Sequence, residues 1–279
     1  MTRTEQIERS LIKRFRTDIW KKFIRAVNEY KMIEENDCIA VCISGGKDSM
    51  LLAKCMQEIQ RHGKMQFTLK CIVMDPGYSK ENMAQIRKNL EILGIDAHIF
   101  TSNIFDVVHQ AGGSPCYLCA RMRRGCLYNY AQSLGCNKIA LGHHFDDVIE
   151  TVLLSMFYGS EIKTMMPKVV SENFENMELI RPLYMVPEKD IIQWCVYNDL
   201  HFLHCACKFT EEIETKDKEE NSKRKLVKKF INMLRSRNER IDENIFTSLH
   251  NVNIDALPGY RKNGTKHSFL ENYKKNKGA

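Results

Sequence analysis

Apolar residues recur every four positions at the start of the chain, at Ile7, Leu11, Phe15, Ile19, Phe23 and Val27. Lys13, Arg14, Arg16, Lys21, Lys22 and Arg25 fall between them. That spacing predicts an amphipathic helix over Thr4–Lys31, with an apolar stripe on the core and a basic outer face. From Cys38 the pattern becomes short apolar runs alternating with helical repeats. Cys38–Ile43, Thr68–Met74, Ala97–Phe100 and Lys138–Leu141 read as strands; Asp48–Arg61, Glu81–Leu93, Arg121–Leu134 and Asp146–Tyr158 read as helices. Such alternation builds right-handed βαβ units, so the expected fold is α/β, a doubly wound parallel sheet with helices on both faces. Pro167–Pro182 reads as an irregular hairpin, Pro187–Leu200 as a helix and Glu211–Lys225 as an exposed loop or frayed helix. Leu226, Phe230, Met233 and Leu234 mark a basic helix, Asp242–Asn251 follows it, and Gly259–Ala279 reads as a loose polar tail.

The totals narrow this picture little. At 279 residues the chain can bury a substantial core. Its 42 Lys+Arg against 35 Asp+Glu leave +7, an excess that permits nucleic acid without requiring it. Residues 1–10 are charged and apolar runs are strand-length, so neither a secretory signal nor a membrane span is expected, and the expected location is the cytoplasm. Eleven cysteines in such a chain argue against a disulfide framework and leave core packing and metal binding.

Ligands of parallel sheets sit beyond the carboxyl ends of the strands. There the first strand gives way to Ser44-Gly45-Gly46-Lys47-Asp48-Ser49. Strand, glycine turn and helix bring backbone N–H groups and a positive helix end to a phosphate, and Lys47 adds a point charge. It is not a Walker A loop, because the G-x-x-x-x-G-K spacing is absent and Asp48 follows the lysine. Asp75, at the exit of the second strand, shares that rim. Gly142-His143-His144-Phe145-Asp146-Asp147 leaves the fourth strand. Its aspartates serve as helix caps on one account, and as Mg²⁺ or proton carriers beside a nucleotide on the other.

Cys116-Tyr117-Leu118-Cys119 places two thiols on a turn entering a helix, a geometry shared by metal, redox and coincidental sites. Cys205 and Cys207 lie in a second cluster, 86 residues beyond Cys119 (205 − 119). Two ligands plus a distant third suit a cubane cluster, whereas four cysteines suit structural zinc. Arg121, Arg123 and Arg124 open the following helix and point to an anionic partner, or stand solvated on its outer face. The other seven cysteines read as small buried hydrophobes.

The loop Ser44–Ser49 resembles the pyrophosphate-binding loop of PP-loop ATP pyrophosphatases, the adenine nucleotide α-hydrolase-like fold. With Cys116–Gly125 and Gly142–Asp147, and with matches through Glu188-Lys189-Asp190-Ile191, the chain resembles the tRNA 2-thiocytidine synthetase family from about Ile19 to Leu257. The resemblance implies an N-terminal basic helix (1–36), a PP-loop domain with cluster-binding cysteines (37–208) and a C-terminal helical extension with a basic tail (209–279). It implies ATP, Mg²⁺ and a 4Fe–4S cluster held by Cys116, Cys119 and Cys205, with Cys207 as rival to Cys205. Ser44, Gly45, Gly46, Lys47, Asp48, Ser49, Asp75, Gly142 and His143 would bind the nucleotide, with Asp48, Arg123, Asp146 and Asp147 as catalytic candidates. The implied reaction adenylates a pyrimidine C2 oxygen in tRNA and replaces it with sulfur. The sulfur would come from a cysteine desulfurase or free sulfide, and a homodimer is admissible. Two other readings share these residues: a PP-loop ligase with structural zinc, and a cluster-bearing nucleotide or RNA sensor.

Overall fold

Six consecutive apolar residues, rich in β-branched side chains, make Cys38–Ile43 the central strand β1 of a sheet covered on both faces. In the computed structural model, which describes residues 1–102, 104, 115–203 and 218–273 (backbone only at 115–120, 218–222 and 272), β1 is followed by α3 (Lys47–His62), after α1 (Arg3–Arg9) and α2 (Lys21–Glu29). Then come β2 (Thr68–Asp75), α4 (Lys80–Leu93), β3 (Ala97–Thr101), α5 (Pro115–Ser133), β4 (Lys138–Ala140) and α6 (Phe145–Gly159). The hairpin of β5 (Lys168–Val170) and β6 (Glu178–Ile180) leads to α7 (Glu188–Tyr197). Sheet order is β3-β2-β1-β4-β6-β5, parallel except for β5. The carboxyl ends of β1, β2, β4 and β6 therefore share one rim, as the alternation predicts. None of the described helices is long and apolar enough to cross a membrane.

The chain divides into two compact units, Met1–Lys228 and Lys229–Ala279. The helix α8 (Lys218–Arg235) runs through that boundary, and α9 (Ile241–Ser248) lies in the second unit. There the loose tail expected from Gly259 is instead a hairpin of β7 (Gly259–Lys262) and β8 (Thr265–Ser268), followed by α10 (Leu270–Tyr273). Asn263 and Gly264 both adopt positive φ, 50° and 77°, the turn that joins antiparallel strands through two residues. The Asn-Gly pair carries that signal in the sequence.

The N-terminal helix is also not the single regular helix that the spacing suggests. Ser10–Arg14 and Arg16–Trp20 are π-helical, between α1 and α2. All six stripe residues are nevertheless buried. A repeat of four outruns the 3.6 residues of an α-turn, and interspersed wider i→i+5 turns keep the stripe facing the core. The third difference concerns α5. It begins at Pro115, so positions 116 and 119 lie inside the helix, and Arg121, Arg123 and Arg124 sit in its second and third turns. Proline suits the first helical position, where no N–H partner is needed.

Candidate active site

Three residues, Ser44, Gly45 and Gly46, turn the chain from β1 into α3. Gly45 has φ +85°, and a Cβ there would lie 2.8 Å from Ile86 Cγ1, so both backbone and space demand glycine. Gly46 is the N-cap of α3 and brings no capping side chain, which leaves first-turn N–H groups facing the rim. The loop is braced from within: the Ser44 N–H donates to Ser49 Oγ (3.1 Å), and the Ser49 hydroxyl donates to the Gly46 carbonyl (3.0 Å). Gly142, two residues past the end of β4, presses on it. A Cβ at Gly142 would stand 3.0 Å from both Asp48 C and Ser49 N.

A cavity of about 460 Å³ opens here, lined by Ser44, Asp48 and Ser49, by Arg123 and Arg124 of α5, and by His143 and Asp147. Met74, Leu127 and Ile139 give it an apolar side. Asp48 Oδ1 and His143 Nδ1 are buried without a hydrogen-bond partner among the described residues. Burial raises the Asp48 carboxyl above the usual range, against the pull of His144 and Lys47. Burial, reinforced by the Arg181 guanidinium, lowers His143 to about 4, so its imidazole is neutral near pH 7. Arg123 Nη2 donates to the Tyr78 hydroxyl (2.9 Å).

Other expected site residues stand at the margin. Asp75 Oδ1 accepts from the N–H groups of Gly77 (2.9 Å) and Tyr78 (2.7 Å), so its carboxylate shapes the β2 turn. Asp146 Oδ2 accepts from the Glu188 N–H (2.7 Å) and caps α7. Lys47 Nζ lies 3.2 Å from Asp48 Oδ2 and 3.1 Å from Glu188 Oε1. Burial opposes the charge on Lys47, yet these carboxylates outweigh it and raise the pKa. Glu188 bonds Lys228 through its other oxygen (2.7 Å), and Arg224 reaches Glu150 (3.1 Å) and Asp147 (3.2 Å). Arg224 and Lys228 are not among the expected site residues: Arg224 falls in the segment read as a loop or frayed helix and Lys228 in the basic helix after it, whereas both lie on α8, one turn apart. The side chains of Cys116 and Cys119, and all of Cys205 and Cys207, lie outside the described residues.

Residues 16–211 match the model of the PP-loop domain family. Over most of its length the chain is also similar to curated proteins named tRNA-cytidine(32) 2-sulfurtransferase. The one from Variovorax paradoxus is 34% identical, covering 88% of this chain and 76% of the relative. The one from Coxiella burnetii is 35% identical over 84% of this chain and 89% of the relative. The chain belongs to the tRNA-cytidine(32) 2-sulfurtransferase family of PP-loop enzymes. Coverage varies: the Delftia acidovorans relative is 38% identical over 72% of this chain, which spans 64% of that relative's length. Among solved structures, the U34-tRNA thiolase NcsA from Methanococcus maripaludis, described with its [4Fe-4S] cluster, superposes with a TM-score of 0.62. It is 20% identical, with 83% of this chain and 78% of that one covered, a likeness of fold.

Proposed function

We propose that this sulfurtransferase-family member uses ATP to replace O2 of a cytidine in the tRNA anticodon loop by sulfur, at position 32 as in its relatives' names. The supporting observation is convergence: residues of the loop Ser44–Ser49, of the helix that carries Cys116 and Cys119, and of Gly142–Asp147 line one cavity. A pyrimidine C2 oxygen is a poor leaving group. O2 therefore attacks the α-phosphorus of ATP, the α–β bridging bond breaks, and pyrophosphate departs with the electron pair. A sulfur nucleophile then adds at C2, and AMP leaves with O2.

In this reading the α3 N-terminus and Lys47 hold the β- and γ-phosphates. The Asp48 oxygen that lacks a hydrogen-bond partner fits a Mg²⁺ ligand. Arg123 and Arg124 offset charge developing on the α-phosphate. Neutral His143 supplies a hydrogen bond without adding a cation. Both aspartates are held by the protein, Asp146 at the α7 cap and Asp147 by the His144 N–H and Arg224, but only Asp147 lines the cavity, so the proton is assigned to it. Cys116 and Cys119, one helical turn apart on α5, with Cys205 or its rival Cys207, supply thiolates suited to a 4Fe–4S cluster. Such a cluster would hold sulfur as a deprotonated nucleophile at neutral pH. The exposed Lys13, Arg14 and Arg16, together with the basic extension 209–279, would bind tRNA phosphates in a cytoplasmic enzyme, as monomer or homodimer. A cysteine desulfurase or free sulfide would supply the sulfur.

The test is nucleoside mass spectrometry of tRNA from cells lacking the gene. Loss of 2-thiocytidine, restored by the wild type but not by Cys116→Ala, is expected. Unchanged 2-thiocytidine in the deleted cells would overturn the reading. Zinc without labile sulfide in anaerobically purified protein would favour the ligase instead.

A further inference from the structure

Beside the nucleotide cavity, across His144 and Asp147, lies a second one of about 260 Å³. Glu150, Glu188, Arg224 and Lys228 complete its walls with Lys225. Its acidic groups are not an open cation site, because bases already cover them: Arg224 bonds Asp147 and Glu150, while Lys47 and Lys228 take one oxygen each of Glu188. The last contact is informative. Two ammonium groups on separate helices, one from the phosphate loop and one from α8, converge on a single carboxylate at 3.1 and 2.7 Å. An oxyanion bearing several acceptor oxygens meets the same two donors with more charge.

We propose that Lys228 and Arg224 of α8 extend the phosphate site into a subsite for the pyrophosphate product, in which the Glu188 carboxylate occupies Lys228, and Asp147 and Glu150 occupy Arg224, until the anion displaces them. Lys47 is then shared. It grips the β- and γ-phosphates during adenylation, and the released pyrophosphate passes from Lys47 towards Lys228 and Arg224 as Glu188 swings aside. No bond forms or breaks in this transfer. Glu188 supplies the competition: burial opposes its charge, but hydrogen bonds from Lys228 and Lys47 outweigh it and pull the pKa down to about 2. Near neutral pH it is an anion, as pyrophosphate is.

The proposal rests on the reading of Lys47 as a phosphate ligand, and the test separates the two. Inorganic pyrophosphate is titrated calorimetrically into the full chain in EDTA, so that a metal-binding role for Glu188 cannot contribute. Lys228→Gln and Arg224→Gln should each weaken binding about tenfold, the loss of one charged hydrogen bond. Lys228→Arg should largely restore it. Glu188→Gln should tighten binding severalfold, a gain that a merely structural glutamate would not give. AMP affinity should stay constant in all four, and thermal melting confirms that each is folded. Pyrophosphate affinity unchanged in Lys228→Gln, or weakened in Glu188→Gln, overturns the subsite. Unchanged affinity in Lys47→Gln overturns the phosphate-loop reading itself, whatever α8 does.

Discussion

At the amino ends of β1 and β4 a lysine is buried among acids, and at the carboxyl ends another lysine meets acids too, yet the two networks differ in kind. Lys138 is 2% exposed and places its ammonium 2.7 Å from Asp37 Oδ2 and 3.2 Å from Glu178 Oε2. Asp37 Oδ1 accepts from Asn137 Nδ2 (2.8 Å), and Asn137 Oδ1 accepts from the Cys38 N–H (2.8 Å). Glu178 Oε2 has no hydrogen-bond partner among the described residues, but the ammonium groups of Lys138 (3.2 Å) and Lys168 (3.0 Å) both stand against it, so every charge here is matched within the protein. At the other end Lys47 also holds two carboxylates, but along the carboxyl rim of the sheet Asp48 Oδ1, Ser102 Oγ, His143 Nδ1 and Arg181 Nε are buried without a hydrogen-bond partner among the described residues. A buried polar atom without a partner costs about 1–3 kcal/mol. Concentrating several on one rim is reasonable where a ligand completes them. A closed ionic network thus stabilises the fold, and an open one marks the site.

Exchanging the lysines should expose this difference. Lys138→Met leaves Asp37 buried without its ammonium and should cost about 3–5 kcal/mol of stability in urea unfolding. AMP formation per folded molecule should survive. Lys47→Met should do the reverse: AMP formation falls roughly 100- to 1,000-fold, the cost of deleting one preorganised electrostatic contact, while the urea midpoint barely moves. Equal losses of stability in both would erase the distinction. A smaller effect tests how tightly the open end is built. Gly142→Ala places a methyl group 3.0 Å from the Asp48–Ser49 peptide. It should raise the KM for ATP about tenfold, because overpacking shifts of about 1–3 kcal/mol fall on the phosphate loop rather than the core. An unchanged KM would mean that the loop yields freely.

The parallel sheet and the rim were legible because hydrophobic period and glycine turns are local signals. Cys38–Ile43 and Ser44–Ser49 need no distant contact to be read. What escaped was set by partners remote in sequence or by departures from an ideal period. Arg224 reads as part of an exposed loop or frayed helix and Lys228 as part of a basic helix; their carboxylates lie 40 or more residues away, at Asp147, Glu150 and Glu188. The same holds for Asp146, whose carboxylate looks free in sequence but is taken by the Glu188 N–H. The π-turns between Ser10 and Trp20 follow a repeat of four, which departs from the 3.6 residues of an α-turn. The Asn263-Gly264 hairpin was locally encoded, but lay in a segment whose polarity suggested a tail.

The smallest effect is the sharpest, because it asks whether Glu188 belongs to the closed kind of network or the open one. Its pKa in the folded chain is about 2, against an ordinary 4.5. A depressed carboxyl stabilises the fold above its unfolded pKa, and that contribution is lost as pH falls through the folded value. Wild type should therefore melt slightly above Glu188→Gln at every pH over about 5, and the gap should close between pH 4.5 and 2. A structural glutamate would show this and nothing more. A carboxylate standing in a ligand's place must show it while its removal tightens pyrophosphate. Stability and anion affinity then move in opposite directions under one substitution, a combination that Asp37 at the other end of the sheet has no means to produce.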